Sequence, residues 1–215
     1  IDFKEPENNE FLVVEEFTMK GPRYSRRVDL VVFVNGIPIV AMECKGPGDD
    51  RGIERAVRDL LVYQEPDKGI VRLFHTVQLC MAIKRADARY GTVCTPLRRY
   101  AEWKTVYPQS RFDLERQIGR TPTKQDILLA GMLSKANLLD VVRNFMVYDR
   151  DGGKLVKKVA RYQQFEAVNE AVKRIVDPTS TLPLKDRGGV VWHTQGSGKS
   201  LSMLWLGLKL RRQKE

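Results

Sequence analysis

Residues 28–45 read VDLVVFVNGIPIVAMECK, and this stretch determines the architecture of the first half of the chain. Two strand-like runs, 27–34 and 37–45, flank Asn35-Gly36, which is the strongest short-range signal for a β-hairpin. Both runs are apolar at odd and even positions, so both faces of each strand should be buried. The stretch therefore predicts a central hairpin in a layered α/β domain.

Three charged side chains, Asp29, Glu43 and Lys45, interrupt this apolar hairpin. Glu43 and Lys45 are two residues apart and share one strand face, and a carboxylate in such a strand needs a compensating partner. Two carboxylates can hold Mg²⁺ for phosphodiester cleavage, and a lysine can offset negative charge. Spacing alone leaves two alternatives open: a metal-dependent nuclease site, or structural and surface charges.

The register of the hairpin decides whether Asp29 can join Glu43. A plain two-residue turn at Asn35-Gly36 would pair Asp29 with Met42. Glu43 would then lie on the opposite face. A three-residue loop with a bulge at Gly36 pairs Asp29 with Ala41 instead, which places Asp29 and Glu43 on one face. We predict this bulged hairpin, or another arrangement that likewise places Asp29 and Glu43 on the same face (the same parity).

Beyond the hairpin, hydrophobic periodicity predicts a mixed sheet with one helix against it, extending to about Pro108. The predicted strands are 11–17, 71–74, 77–83 and 91–95, and the helix is 53–61. Asp59 and Tyr63 are four residues apart and share a face of this helix. The pattern is helical from 110 to 148, with a helix start at Thr121-Pro122-Thr123, followed by a polar joint. A helix at 162–176 and a loop at 177–187 come next.

A second motif lies at residues 193–200, which read HTQGSGKS. A strand-like run at 188–192 precedes it and a helix-length apolar run at 201–210 follows it, which is the context of a phosphate-binding loop. Backbone N–H groups at the helix start would face phosphate oxygens. Lys199 would reach the β- and γ-phosphates, and the Ser200 hydroxyl would ligate Mg²⁺. An ordinary Gly-rich turn before a buried helix is the alternative.

Composition narrows the class of protein. The 215 residues carry a formal net charge of +10, which favours a polyanionic partner such as nucleic acid, although a solvated basic surface would also explain it. The three cysteines, Cys44, Cys80 and Cys94, are isolated, and their spacing suggests neither a metal site nor a disulfide framework. No signal peptide or membrane-length apolar run is visible, so we expect a cytoplasmic protein without a membrane partner.

Together these motifs resemble the R (motor) subunit of type I restriction enzymes. The matching stretches follow the family's order over nearly the whole chain: 27–29 (RVD), 33–38 (FVNGIP), 43–45 (ECK), 90–92 (YGT), 161–164 (RYQQ), 167–168 (AV) and 192–200 (WHTQGSGKS). The resemblance implies a restriction-endonuclease-like, PD-(D/E)xK mixed sheet with flanking helices, followed by the start of a RecA-like P-loop helicase lobe. It implies a nuclease domain at 1–109, whose first helix would precede residue 1. A helical linker at 110–153 and the first part of an ATPase lobe at 154–215 would follow.

The resemblance also assigns roles at the predicted nuclease site. Asp29, Glu43 and Lys45 match the family's catalytic triad, with Asp29 and Glu43 as metal ligands. Tyr63 matches the tyrosine of a Gln-x-x-x-Tyr motif. Asp59 stands at the glutamine position of that motif, where an added carboxylate would repel DNA phosphate or approach the metal.

At the predicted nucleotide site, Gln164 matches the glutamine that reads adenine, with Gln163 as the close alternative. ATP and Mg²⁺ are the implied cofactors. The loop residues implied to hold them are Thr194, Gly196, Ser197, Gly198, Lys199 and Ser200, with Ser200 as a metal ligand.

The implied function is that of an ATP-dependent type I site-specific deoxyribonuclease, a helicase-like translocase. It would cleave double-stranded DNA with Mg²⁺, pull DNA using ATP, and assemble with modification (methyltransferase) and specificity subunits. We expect weak nucleotide binding and negligible hydrolysis from residues 1–215 alone, because half of the ATP site would come from a second lobe. The alternative is a non-catalytic DNA-docking or subunit-interaction module on a nuclease fold.

Overall fold

The computed structural model describes residues 1–213 and has an α/β architecture built on a five-stranded mixed sheet. The strands lie in chain order across the sheet: β1 (Phe11–Lys20), β2 (Ser25–Val34), β3 (Ile37–Cys44), β4 (Leu79–Lys84) and β5 (Asp87–Gly91). Neighbours are antiparallel except β3 and β4, which are parallel and are connected through helix α1 (Gly52–Tyr63). A crossover helix is the usual connection between parallel neighbours.

The β2–β3 hairpin has a two-residue turn, so the predicted three-residue loop is wrong. Asn35 and Gly36 both have positive φ, at 50° and 76°, and Val34 pairs with Ile37. Such a turn matches the right-handed twist of the flanking strands.

A bulge inside the same hairpin restores the predicted parity. Phe33 pairs with Pro38, but Val32 pairs with Val40, so Ile39 is the extra residue on β3. The regular ladder ends at Leu30 opposite Met42, and Asp29 and Glu43 occupy the next position on their strands. The prediction that Asp29 and Glu43 share a face is therefore confirmed. The two residues lie directly opposite each other, whereas the predicted pairing of Asp29 with Ala41 would have made them diagonal neighbours.

Helices cover both faces of the sheet. Helix α1 packs on one face through Ala56, Val57 and Leu60. The other face is covered by side chains from four later helices: α2 (Arg111–Ile118), α3 (Lys124–Leu133), α4 (Lys135–Asn144) and α5 (Tyr162–Val176). Helix α6 (Lys199–Arg212) adds Trp205 to the same core. The apolar character of both faces of β2 and β3 follows from this double cover.

Four aromatic side chains occupy the centre of the larger core. The ring of Phe165 lies 5.3 Å from Trp103 and 4.8 Å from Phe145, centroid to centroid, and Phe145 lies 6.2 Å from Trp205. These residues come from all three of the predicted regions 1–109, 110–153 and 154–215. The domain boundaries remain a prediction, but the three regions share one continuous apolar core.

The start of helix α3 is capped as the sequence indicates. Thr123 accepts a hydrogen bond from the backbone N–H of Asp126, and the Asp126 carboxylate accepts one from the Thr123 N–H, forming a capping box. This agrees with the predicted start at 121–123. The helix predicted at 162–176 coincides with α5.

Several predicted elements are wrong. Residues 146–148, predicted as helix, begin a second hairpin of β6 (Met146–Asp151) and β7 (Lys154–Val159). Gly152 and Gly153 form its turn with φ of 57° and 79°. Residues 71–74 lead into a 3₁₀ turn instead of a strand, and β5 ends where the strand 91–95 was expected to begin.

The strand predicted at 188–192 is also absent. Val190 and Trp192 are 89% and 90% exposed, and no strand among residues 1–213 lies beside them to form a ladder. Main-chain polar groups in a strand need such a neighbour. None of the helices within 1–213 combines the length and apolar character needed to cross a bilayer.

Candidate functional site

The two carboxylates of the hairpin lie where the β2–β3 ladder gives way to side-chain contacts. One carboxylate oxygen of Asp29 accepts a hydrogen bond of 2.7 Å from the backbone N–H of Cys44. The backbone N–H of Asp29 donates to Glu43 Oε1 at 3.4 Å. Glu43 is 1% exposed. Each carboxylate is thus hydrogen-bonded to the main chain of the opposite strand.

Lys45 and helix α1 complete the cluster. The Lys45 ammonium lies 3.1 Å from Glu43 Oε2 and 2.6 Å from Asp59 Oδ2. The Tyr63 hydroxyl donates to the main-chain carbonyl of Arg27 at 3.0 Å. The structure therefore brings together all five side chains that the sequence predicted for this site: Asp29, Glu43, Lys45, Asp59 and Tyr63.

Gly52 allows α1 to approach the sheet closely enough for these contacts. A Cβ atom at this position would lie 3.0 Å from Lys45 Cβ and 3.1 Å from Lys84 Cδ, both tighter than ordinary contacts. A larger residue would require the side chains of Lys45 and Lys84 to shift by a few tenths of an ångström. Gly52 is a site-supporting residue that the sequence analysis missed, because nothing in a helix start marks a glycine as a spacer.

The cluster has unusual electrostatics. Burial, and then repulsion from Asp29, raises the pKa of Glu43 to about 7, against partial compensation by Lys45. Burial also opposes the charge of Lys45, but its hydrogen bonds to Asp59 and Glu43 prevail and hold its pKa above the ordinary value. Burial and the nearby Glu43 raise the pKa of Tyr63 as well. The site therefore disfavours further negative charge and would be stabilised by a cation.

A divalent cation fits this donor set. Asp29 and Glu43 offer hard carboxylate oxygens, which Mg²⁺ prefers, and a dication between them would relieve the repulsion that raises the Glu43 pKa. Residues 1–213 contain no group of three or more His, Cys, Asp or Glu placed to hold an ion. Other ligands would have to be water, main-chain oxygen or a bound phosphate, as is common for Mg²⁺.

The predicted phosphate loop forms the start of α6. Gly196 and Gly198 have φ of 78° and 83°, a conformation that favours glycine, and Gly198 is the N-cap of the helix. The first intrahelical bonds run from Leu201 and Ser202 to the Gly198 carbonyl. The N–H groups of Lys199 and Ser200 thus belong to the unpaired first turn, where an anion is favoured.

Gln164 connects α5 to this loop. Its side-chain oxygen accepts from the Arg161 N–H at 2.8 Å, and its Nε2 donates to the carbonyls of Ser197 and Gly198 at 3.0 and 3.1 Å. Its role in reading adenine stays a prediction. In this structure all of these amide contacts are made within the chain. The side-chain oxygen of Gln163, the alternative, is buried without a hydrogen-bond partner among the described residues.

Two contacts that the sequence could not reveal join the sheet to the β6–β7 hairpin. The buried Tyr90 hydroxyl donates to the Ala160 carbonyl at 2.8 Å, and the Thr92 hydroxyl donates to the Lys157 carbonyl at 2.8 Å. The partners are 70 and 65 residues apart in sequence, so only the fold brings them together. The hairpin and the phosphate loop also line the same groove, to which strand β7 and residues 196–198 both contribute.

Comparison with known families assigns both ends of the chain. Residues 1–99 match the family described as the type I restriction enzyme R protein N terminus, and residues 163–215 match the SWI2/SNF2 ATPase family. The first match covers the carboxylate cluster and the second covers Gln164 and the phosphate loop. The chain is thus of the restriction-enzyme class.

Individual relatives narrow this class. The chain is 34% identical over its whole length to the type I restriction enzyme HindI endonuclease subunit of Haemophilus influenzae, covering 20% of that protein. It is 33% identical over its whole length to the putative type I restriction enzyme MjaIXP endonuclease subunit of Methanocaldococcus jannaschii, covering 21% of it. The chain belongs to the family of type I restriction enzyme R proteins. It spans about a fifth of the length of the curated relatives that it matches.

Proposed function

We propose that this chain is the nuclease-bearing part of an ATP-dependent type I restriction endonuclease, which cleaves double-stranded DNA with Mg²⁺ and translocates DNA using ATP. The observation that carries the proposal is the convergence of Asp29, Lys45 and the buried Glu43 on one face of a hairpin. Carboxylates in that position need a functional or structural reason, and a cation site supplies one.

Each side chain of the cluster has a role in this proposal. Asp29 and Glu43 would hold Mg²⁺, which when bound lowers the pKa of a water molecule and stabilises negative charge on phosphate. Lys45 keeps a full positive charge because Glu43 and Asp59 stabilise it, and so offsets the charge of the scissile phosphate. Tyr63, bound to the Arg27 carbonyl, fixes α1 against β2.

The remaining parts of the proposal rest on the loop, the sheet and the charge. A parallel β3–β4 pair with α1 between supports a PD-(D/E)xK-type sheet, and α6 after the glycine-rich loop supports the start of a RecA-like lobe. The loop would bind the phosphates of ATP through Thr194, Gly196, Ser197, Gly198 and Lys199, with Ser200 toward Mg²⁺.

Proposed partners follow from the family and the charge. The net charge of +10 suits double-stranded DNA. Modification and specificity subunits, in the cytoplasm, would supply methylation and sequence recognition. Residues 1–215 alone would hydrolyse ATP negligibly, and multiple turnovers by this stretch in a coupled ATPase assay would contradict that part.

The decisive experiment is plasmid cleavage by the full-length complex with Mg²⁺ and ATP. Asp29→Ala and Glu43→Ala should abolish double-strand cleavage. Glu15→Ala, which removes an exposed carboxylate from the neighbouring strand β1, is the matched control and should cleave like the unsubstituted complex.

The alternative is a non-catalytic docking module on a nuclease fold. One contact favours it: the Lys45 ammonium is already bound by two carboxylates, Glu43 and Asp59, within the protein. Cleavage that is unchanged in both the Asp29→Ala and Glu43→Ala complexes would reject the nuclease proposal and leave the docking module.

A further inference from the structure

A groove of about 610 Å³ opens beside the phosphate loop. Its walls come from the segment after β5 (91–96), from strand β7, and from the glycine-rich residues 196–198. The groove is large enough for a nucleoside, and it adjoins the loop proposed to hold the phosphates. The hydrogen-bond donors on the walls of this groove therefore decide how the base and ribose could be bound.

Gln164 has no free donor for a base in this groove. Its Nε2 carries two hydrogens, and both are given to carbonyl oxygens, those of Ser197 and Gly198. Its side-chain oxygen already accepts from the Arg161 N–H. A Cβ atom added at Gly198 would lie only 2.6 Å from Gln164 Nε2, which shows how closely the amide approaches the loop. With the amide engaged in this way, any further donor to the nucleoside lies on another wall of the groove.

Lys157 on β7 is a cation in this groove with unused donor capacity. Its ammonium donates to the side-chain oxygen of Gln78 and lies 5.7 Å from the centre of the Tyr148 ring, and it forms no ion pair with any carboxylate in the part of the chain described. Its neighbours differ: Lys158 is paired with Asp149, and Arg99 is paired with Asp151. Burial lowers the pKa of Lys157, as expected for a cation that lacks a counter-charge.

We propose that the groove binds the nucleoside half of the nucleotide and that Lys157 donates a hydrogen bond to it. An ammonium group only donates, so its targets are acceptors, namely the ring nitrogens of the base or the ribose oxygens. This inference rests on the proposed nucleotide binding at the loop. It adds a residue on the β6–β7 hairpin, which is tied to the sheet through Thr92, to the nucleotide site.

The test is isothermal titration calorimetry of the whole chain with two ligands, Mg²⁺–ATP and inorganic triphosphate. Lys157→Met keeps the aliphatic stem but removes the donor. It should weaken ATP binding about tenfold, as expected for one charge-assisted hydrogen bond, and leave triphosphate binding within about twofold. Lys157→Arg should retain most of the ATP affinity because it keeps a charged donor at the same position.

Lys154→Met is the matched control, because Lys154 is an exposed lysine on the same strand outside the groove. It should bind both ligands like the unsubstituted chain. Ribose 5-triphosphate separates the two sources of acceptors: a loss with Lys157→Met for this ligand points to the ribose, and no loss points to the base. Either outcome supports binding of the nucleoside half.

Two outcomes would overturn the inference: unchanged ATP affinity in Lys157→Met, or an equal loss for ATP and triphosphate, which would place Lys157 at the phosphates. Failure of the underlying proposal looks different. If Lys199→Ala binds triphosphate as well as the unsubstituted chain does, the loop is not the phosphate site. The melting temperature of each variant, measured in parallel, shows whether a loss of binding reflects unfolding.

Discussion

The carboxylate cluster and the phosphate loop are held in opposite ways. Glu43 is 1% exposed and lies on a strand with paired neighbours on both sides. The phosphate loop follows a segment in which Val190 is 89% exposed, and Gln164 ties the loop to α5. The charged cluster thus lies on paired strands, whereas the glycine-rich loop lies outside the sheet and is bound to helix α5 through Gln164.

The strongest effect should separate the two sites by function. In the full-length complex, Lys45→Met should reduce DNA cleavage by about a thousandfold, since an electrostatic contribution of about 4 kcal/mol to the transition state would be lost. ATP turnover should persist in this variant. Both activities are measured on one preparation, by plasmid cleavage and by phosphate release.

Lys199→Ala is the matched variant at the phosphate loop and should lose ATP turnover and, with it, translocation-dependent cleavage. If Lys45→Met cleaves DNA at the rate of the unsubstituted complex, the cluster is not the nuclease site, and the proposed division of functions between the two sites is wrong.

The next largest effect is a pH dependence of the free energy of unfolding, caused by the buried carboxylate of Glu43. The pKa of Glu43 is raised from 4.5 to about 7, so the folded state retains a proton that the unfolded state releases. Stability from this group is complete below pH 4.5 and is lost as pH rises through about 7, a loss of about 3 kcal/mol. Glu43→Gln should remove this dependence, as measured by urea unfolding at pH 5 and pH 8.

Glu15→Gln on the exposed side of β1 serves as the control and should leave the pH dependence unchanged. Mg²⁺ added at pH 8 should raise the unfolding midpoint of the unsubstituted chain, and EDTA should reverse the rise. The same Mg²⁺ effect in Glu43→Gln would show that the cation binds elsewhere.

A smaller effect concerns the difference in rigidity between the two sites. Gln164→Ala removes the two hydrogen bonds to the loop carbonyls, which we expect to raise hydrogen exchange at 197–201 by about tenfold, or about 1.4 kcal/mol. Exchange in β3 and β4 should stay unchanged. Gln163→Ala provides the comparison, and faster exchange throughout both variants would indicate global destabilisation.

The weakest effect should occur at the turn of the β2–β3 hairpin. Gly36 has φ of 76°, and an added Cβ atom would have no neighbour within 4 Å, so Gly36→Ala should cost only the backbone strain, about 1 kcal/mol. Urea unfolding measures this cost, and Gly188→Ala, at a glycine with open space and no positive φ, is the control. A much larger loss would mean that the turn, and not the bulge at Ile39, sets the register.

The sequence predicted the location of this hairpin but not its details. Asn35-Gly36 is a strong local signal, so the turn was found. The bulge at Ile39 could not be found, because both faces of β3 are buried and an extra apolar residue leaves no break in the pattern. That Asp29 and Glu43 share a face was predicted from chemistry, since two carboxylates can bind one metal ion only if they lie on the same face of the hairpin.

The predictions of other elements were wrong for identifiable reasons. The hairpin β6–β7 carries a turn signal in Gly152-Gly153, but the apolar spacing that ends α4 runs on into Met146 and hides the strand. The run at 188–192 has strand composition without a neighbouring strand among the described residues. The contacts of Gln164 and Tyr90 depend on chain segments brought together only by the folded core.

The shared aromatic core also constrains how the chain folds during its synthesis. The five-stranded sheet is complete at Gly91, but the apolar core that includes one of its faces also contains residues as late as Phe165 and Trp205. At about 5–20 residues per second, roughly 6–23 s separate the synthesis of β5 from that of Trp205. During this interval we expect the nascent chain to expose part of the apolar surface that this core buries. Chaperone capture of the nascent chain should therefore be strongest after the sheet has been made and before α6 emerges.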